Sequence, residues 1–204
     1  MRTLVIESAT EACSTALFDG SSLIAGHSEV IGRGHAERLV PMIAELPDRG
    51  HAERIAVSLG PGSFTGVRIG LAAARALGLA WRSEVWGYPT LALVAAMVKD
   101  RNPITVAMTG GHGEWFVQDF DANGFAMSDL ASLRPTDAAR RTAHRVVAGS
   151  QAVALGALLE EEHVALSVLP DARQFANLPE SLLSSDLSPL YGRPPDARLP
   201  GNPG

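Results

Sequence analysis

Residues 55–82, IAVSLGPGSFTGVRIGLAAARALGLAWR, constrain the fold more than any other stretch. Ile55, Val57 and Leu59 alternate with Ala56 and Ser58, the pattern of a strand. Gly60-Pro61-Gly62-Ser63 breaks regular structure. A helix then starts, capped by Ser63 or Thr65, whose oxygen accepts from a free amide of the first turn. From Val67 to Arg82 its only charged residues are Arg68, Arg75 and Arg82, seven apart and therefore on one narrow stripe. A helix apolar nearly all round is buried on more than one side. One side covers the sheet that contains Ile55–Leu59. The opposite side, with Gly70, Ala73, Ala74 and Gly78, needs another helix, from the same chain or from another subunit.

The totals bound the class. The chain has 204 residues, 46% hydrophobic and 19% charged, which reads as soluble and globular with enough bulk for a real core. No apolar run reaches membrane-span length, and the N-terminus has no basic start followed by an apolar stretch, so no signal peptide is expected. Cys13 is the sole cysteine, so no internal disulfide forms, which fits a reducing cytoplasm. The net charge is −5, the wrong sign for a chain that grips tRNA phosphates itself.

In order, Leu4–Ile6, Cys13–Phe18 and Ser22–Val30 read as three antiparallel strands, with a polar turn at Glu7-Ser8-Ala9-Thr10 and a tight hairpin at Asp19-Gly20. A helix over residues 35–46 carries an apolar stripe of Leu39, Met42, Ile43 and Leu46, kinked at Pro41. His35 reads as a capping or interface residue, since no second histidine sits four residues away. A strand over 84–87 and a helix over 91–98 follow, and Lys99-Asp100-Arg101-Asn102-Pro103 is the best domain boundary. A second strand-rich set opens at Ile104–Met108 and continues at 114–120, with Phe125-Ala126-Met127 following a turn. Helices over 135–143 and 152–162 and strands over 145–148 and 164–169 complete it, with Glu160-Glu161-Glu162 at a solvated helix end. The domains are thus residues 1–101 and 102–193, with 194–204 a flexible tail.

No catalytic constellation is visible. Gly60–Gly66 lacks the Lys-Ser/Thr of a phosphate-gripping loop, no nucleophile elbow occurs, and no Cys/His set has metal spacing. Ser63 and Thr65 could present amides to an anion, but the preferred reading of Gly60, Gly62 and Gly66 is tight strand-to-helix packing.

The run from Ile55 to Gly78, and GPGSFTGVRIG (Gly60–Gly70) above all, resembles the signature of the TsaB family, also called YeaZ. The likeness is dense from Leu4 to Ala80, thins after Lys99 and returns at Pro189-Leu190-Tyr191-Gly192-Arg193, similar to the family's C-terminal P-x-Y-x-R. The resemblance implies an α/β fold of two actin-like (ribonuclease H-like) lobes, each a mixed sheet with flanking helices. It implies a non-catalytic, cytoplasmic subunit of the machinery forming N6-threonylcarbamoyladenosine in tRNAs that read codons starting with A. The implied partners are a catalytic TsaD-like subunit and a TsaE-like ATPase, with no membrane and only indirect contact with tRNA; without the partner the exposed apolar helix face is expected to self-associate, giving a homodimer when alone. ATP and metal then belong to the partner subunits, with no cofactor, catalytic residue or metal in this chain. The partner-binding residues would be Leu39, Met42, Ile43, Val67, Gly70, Leu71, Ala73, Ala74, Leu77 and Gly78. Gly60, Pro61, Gly62, Ser63, Phe64, Thr65 and Gly66 form the structural loop.

The sequence departs from the family pattern twice. Glu7 stands where the family usually has Asp, and Thr109-Gly110-Gly111-His112-Gly113-Glu114 replaces a D-A-R-x-x-E-like run. The alternative reading is a stand-alone actin-like phosphotransferase or hydrolase with a metal–nucleotide site at Glu7, Ser8 and Gly110–Gly113.

Overall fold

Nearly every residue of Arg2–Glu7 (β1) and Ala12–Asp19 (β2) is buried on both faces, so both strands read as apolar runs and form the centre of a sheet. In the computed structural model, which describes residues 1–99 and 102–192, β1 pairs antiparallel with β2, and β2 with Ser22–Val30 (β3). Beyond β1 the sheet continues in parallel with Arg54–Ser58 (β4) and Glu84–Tyr88 (β5). Helix His35–Ala44 (α1) connects β3 to β4, and Phe64–Trp81 (α2) connects β4 to β5. The order is β3-β2-β1-β4-β5.

The second half repeats this plan. Ile104–Thr109 (β6), Trp115–Phe120 (β7) and Ala131–Leu133 (β8) form an antiparallel run. Val146–Ala148 (β9) and Val164–Leu166 (β10) extend it in parallel on the other side of β6. The order β8-β7-β6-β9-β10 reproduces that of the first sheet strand for strand. Pro135–Arg141 (α4) and Ala152–Gly156 (α5) stand where α1 and α2 stand in the first lobe. Helix Thr90–Met97 (α3) lies between the sheets, and its residues Leu91 to Ala95 are buried in a core shared by Val5, Phe18 and Tyr88 of one sheet and Val106, Met108 and Phe120 of the other.

Several elements differ from the sequence expectation. The helix expected over 152–162 ends at Gly156, and His163 packs where a side chain at Gly156 would sit. Glu160–Glu162 therefore lie in the irregular bend before β10 rather than at a helix end. Phe125–Met127 forms a single bridge, Ala126 to Phe120, and the strand that pairs with β7 is Ala131–Leu133. The strand expected over 164–169 is three residues long. After β10 the chain returns to the first lobe: a 3-10 turn at Ala172–Asn177 sets Phe175 against Phe18 and Tyr88, at ring-centroid distances of 6.1 and 5.5 Å. The expected domain boundary contains Asp100 and Arg101, and the expected tail is Pro194–Gly204; these lie outside the described residues.

Candidate functional site

The glycine-rich turn joins the parallel strand β4 to α2. Ser63 caps the helix, its Oγ accepting from the Gly66 amide at 3.2 Å. Gly60 adopts a left-handed φ of 87°, which favours glycine. A Cβ at Gly62 would stand 2.0 Å from the Ala9 carbonyl oxygen, and one at Gly66 2.1 Å from that of Ser8. The two glycines let the first turn of α2 lie directly on the Ser8–Ala9 backbone. The contact is sealed by hydrogen bonds from the Ser63 amide to the Ala9 carbonyl (2.6 Å) and from Ser8 Oγ to the Gly66 carbonyl (2.9 Å).

Beneath this turn runs a polar row. Pairing places Ser14 beside Glu7, Ser58 beside Tyr88, and, through the Ile6–Val57 register, Glu7 beside Ser58. The row Ser14–Glu7–Ser58–Tyr88 thus crosses four adjacent strands on the face that meets α3, and all four residues are buried. Glu7 is fully buried; its Oε1 accepts from the Ala9 amide at 2.8 Å, and the Tyr88 hydroxyl stands 3.4 Å from Oε2 while donating to the Ile6 carbonyl at 3.0 Å. Loss of solvation outweighs these bonds and raises the Glu7 pKa to about 7, and the same burial, with Glu7 alongside, raises that of Tyr88. With Glu7 and the Ser8 hydroxyl engaged inside the fold, this end of β1 does not fit a metal-bound nucleotide. Among the described residues no group of three His, Cys, Asp or Glu is arranged to hold a metal.

In the second lobe, Gly110–Gly113 is a tight hairpin. The Gly110 amide donates to the Glu114 carbonyl at 2.9 Å, and His112 and Gly113 take left-handed conformations. Thr109 is tied to Ser150 at 3.0 Å and to Gln151 at 2.8 Å.

Helix α2 divides differently from the expected split. Gly70, Leu71, Ala74 and Gly78 face the sheet with Val67; Cβ atoms at Gly70 and Gly78 would meet Ser8 Oγ and Val85 at 2.5 Å. Ala73 and Leu77 are half-buried at the edge of the same core. In α1, Leu39, Met42 and Ile43 are likewise inside the first lobe's core, and His35 is buried with Nε2 3.3 Å from the Ala12 carbonyl. The small glycines serve close helix-on-sheet packing, which is why they fall on the inner side. The exposed arc of α2 carries Phe64, Thr65, Arg68, Ala72, Arg75, Ala76, Leu79, Ala80 and, at its C-cap, Arg82. Leu79 is 86% exposed.

Sequence reasoning missed a strap that borders this arc. Ser184 and Gly87 exchange backbone hydrogen bonds of 2.8 and 2.9 Å along the edge of β5. Arg75 donates to the Leu187 carbonyl at 3.2 Å, and the Leu190 amide donates to the Leu59 carbonyl at 2.8 Å. Tyr191 lies 6.2 Å from Phe64, between ring centroids, and the Arg68 guanidinium stacks 3.6 Å over the Phe64 ring. A Cβ at Gly192 would meet Phe116 of the second lobe at 2.4 Å, so the strap touches both lobes. The P-x-Y-x-R likeness at Pro189–Arg193 was its one signal in the sequence; Arg193 lies outside the described residues.

The family model for TsaD, tRNA N6-adenosine threonylcarbamoyltransferase, matches residues 27–166. The tRNA threonylcarbamoyladenosine biosynthesis protein TsaB of Escherichia coli is 36% identical over 134 residues, 61% of this chain and 58% of that protein. The chain belongs to the TsaB/YeaZ family. It spans 58% of the length of the E. coli TsaB. YeaZ from Pseudomonas aeruginosa superposes with a TM-score of 0.77 at 24% identity, covering 93% of this chain and 99% of that one, which establishes the two-lobed actin-like fold. A second P. aeruginosa structure, an uncharacterised protein with similarity to peptidase YeaZ, gives 0.74 at 27% identity, covering 87% and 89%. No helix among the described residues is long and apolar enough to cross a membrane.

Proposed function

We propose that this TsaB-family chain acts in forming N6-threonylcarbamoyladenosine in tRNA as a non-catalytic subunit that binds and orders a TsaD-like catalytic subunit. The observation that carries the reading is the end of β1: Glu7 and Ser8, which an actin-like enzyme would turn toward a metal-bound nucleotide, are buried and hydrogen-bonded within the first lobe. ATP and metal then belong to the partner subunits, among them a TsaE-like ATPase. With a net charge of −5, the chain leaves tRNA contact to its partners. The surface offered to the catalytic subunit is the exposed arc of α2 together with the outer side of α1, where Val40 is 60% exposed.

The test is light-scattering chromatography of the chain alone and mixed with the TsaD-like protein of the same organism, paired with calorimetry against ATP and Mg²⁺. A stable mixed complex and no ATP binding by the isolated chain are expected. A chain that ignores the partner, or that binds ATP on its own at micromolar concentration, overturns the reading.

A further inference from the structure

Among the sheet edges, β3 presents the longest uncovered one. The edge of β5 is bridged by Ser184, and the edge strands of the second sheet, β8 and β10, are three residues each. β3 is nine residues long and contains neither proline nor lysine, the residues that usually blunt an edge. The Ile31 amide donates to the Glu11 carbonyl at 3.0 Å, so alternation turns the backbone of Ala25, His27 and Glu29 toward β2 and that of Gly26, Ser28 and Val30 outward. Among the described residues, these outward amides and carbonyls make no hydrogen bond. On one face of the strand, Ala25 and the following Ile31 are half-buried against the first lobe's core, and Glu29 accepts from Arg38 of α1 at 2.9 Å. On the other face the Arg173 stem lies over Gly26, and Val30 is 72% exposed. A register irregularity between Leu17 and Phe18 ends the regular stretch at Ala25.

We propose that β3 pairs antiparallel with β3 of a second copy, about a two-fold axis at Ser28. In this register Gly26 and Val30 exchange backbone bonds with the partner's Val30 and the partner's Gly26, and Ser28 with the partner's Ser28, about six bonds in all. His27 then stands opposite the partner's Glu29, in the closely spaced position of the ladder, and Ala25 stands opposite the partner's Ile31. Every contact occurs twice, as a two-fold requires. The exposed Val30 comes to rest beside the partner's Gly26, where no side chain stands in the way, and against the stem of the partner's Arg173. Other registers match less well. An axis at His27 sets it against its own mate and Glu29 against the partner's Ala25, and an axis at Gly26 sets Glu29 against the partner's Leu23. The Ser28 register alone of the three puts acid by base and apolar by apolar. The complement of each residue thus lies within the same strand, which is the argument for a second copy over an unrelated strand. β3 is at the far end of the sheet from β4 and β5, on which α2 packs, so this contact leaves the exposed arc of α2 free and stands apart from the proposed function.

The experiment places one thiol on the strand of the full chain. Cys13, the only native cysteine, is buried, so S28C and, as a control at the end of the strand, S22C each add a single accessible thiol. The Cα atoms of a hydrogen-bonded antiparallel pair lie about 5.5 Å apart, within disulfide range. In oxidised glutathione, S28C is expected to form a disulfide-linked dimer at least about tenfold faster than S22C, and H27E/S28C, which sets like charges together, is expected to lose most of that advantage. In parallel, hydrogen exchange of the wild type is followed by mass spectrometry on peptides within residues 22–32, at about 2 and about 200 μM, where mass action favours pairing at the higher concentration. The outward amides are expected to exchange about tenfold more slowly at the higher concentration. S28P removes one outward amide and breaks no bond to β2, so it should keep the wild-type melt and abolish the concentration dependence; H27E should weaken that dependence and reads the same contact should S28P melt lower. Equal rates for S28C and S22C overturn the inference. So does exchange in residues 22–32 that ignores concentration, or a concentration dependence that both S28P and H27E retain, because the copies would then be meeting elsewhere.

Discussion

At the scale of single residues, Glu7 carries the most chemical information. A carboxyl buried in a sheet, beside a tyrosine hydroxyl that donates elsewhere, is held more comfortably as the neutral acid. Its pKa is raised from the ordinary value of 4.5 to about 7, so folding favours protonation. The sign of the pH effect follows. Below about pH 4.5 the acid is neutral in both states and costs nothing. As pH rises toward 7 the unfolded chain ionises first and stability falls; above 7 the loss is complete, on the order of 3 kcal/mol. Glu7→Gln is expected to remove this slope and to be the more stable protein at pH 8, checked by urea unfolding of both proteins from pH 5 to 8.5. Gly66 makes a second residue-scale prediction. A methyl group 2.1 Å from the Ser8 carbonyl oxygen must move the helix or the strand, so Gly66→Ala should cost about 2–3 kcal/mol in the same assay.

At the scale of elements, α2 shows which parts of the sequence were readable. Its start, its serine cap and its apolar character follow from local chemistry, and so do the hairpins and the strand order they imply. Which side of α2 faces the sheet was not readable, because alanine and glycine suit a helix–sheet contact and a helix–helix contact equally. The decision was made by Ser8 and Val57, which pack against Gly70, and by Val85, which packs against Gly78 from the next strand. The same ambiguity put Leu39, Met42 and Ile43 of α1 among the expected partner contacts, although they fill the first lobe's own core. The two sides can be told apart by mutation. Leu71→Arg buries an unpaired charge and should cost 3 kcal/mol or more of folding stability, roughly, whereas Ala72→Arg, one residue on and exposed, should change it by less than about 0.5 kcal/mol. Thermal melts followed by circular dichroism separate the two outcomes.

At the scale of the whole molecule, the repeated strand order makes two lobes, but the packing makes one unit. Helix α3 belongs to a core fed by both sheets, so a single calorimetric transition is expected, and Leu91→Ala should lower it as a whole, by about 2–5 kcal/mol, without splitting it. The repeat was faintly visible in the sequence as two strand-rich openings at Leu4 and Ile104. The return of residues 172–192 to the first lobe was not, because its contacts are single hydrogen bonds and aromatic edges joining parts of the chain far apart, such as the Ala172 amide and Ser14 Oγ. That return has a consequence for synthesis. The five strands of the first sheet have all been made once Tyr88 leaves the ribosome, yet the side bearing Phe18 and Tyr88 lacks Phe175. At about 5–20 residues per second the wait is roughly 4 to 17 s. During that interval an aromatic face is open to whatever is nearby. The face of the first sheet that bears Phe18 and Tyr88 is therefore expected to close fully only when the last segment has been made.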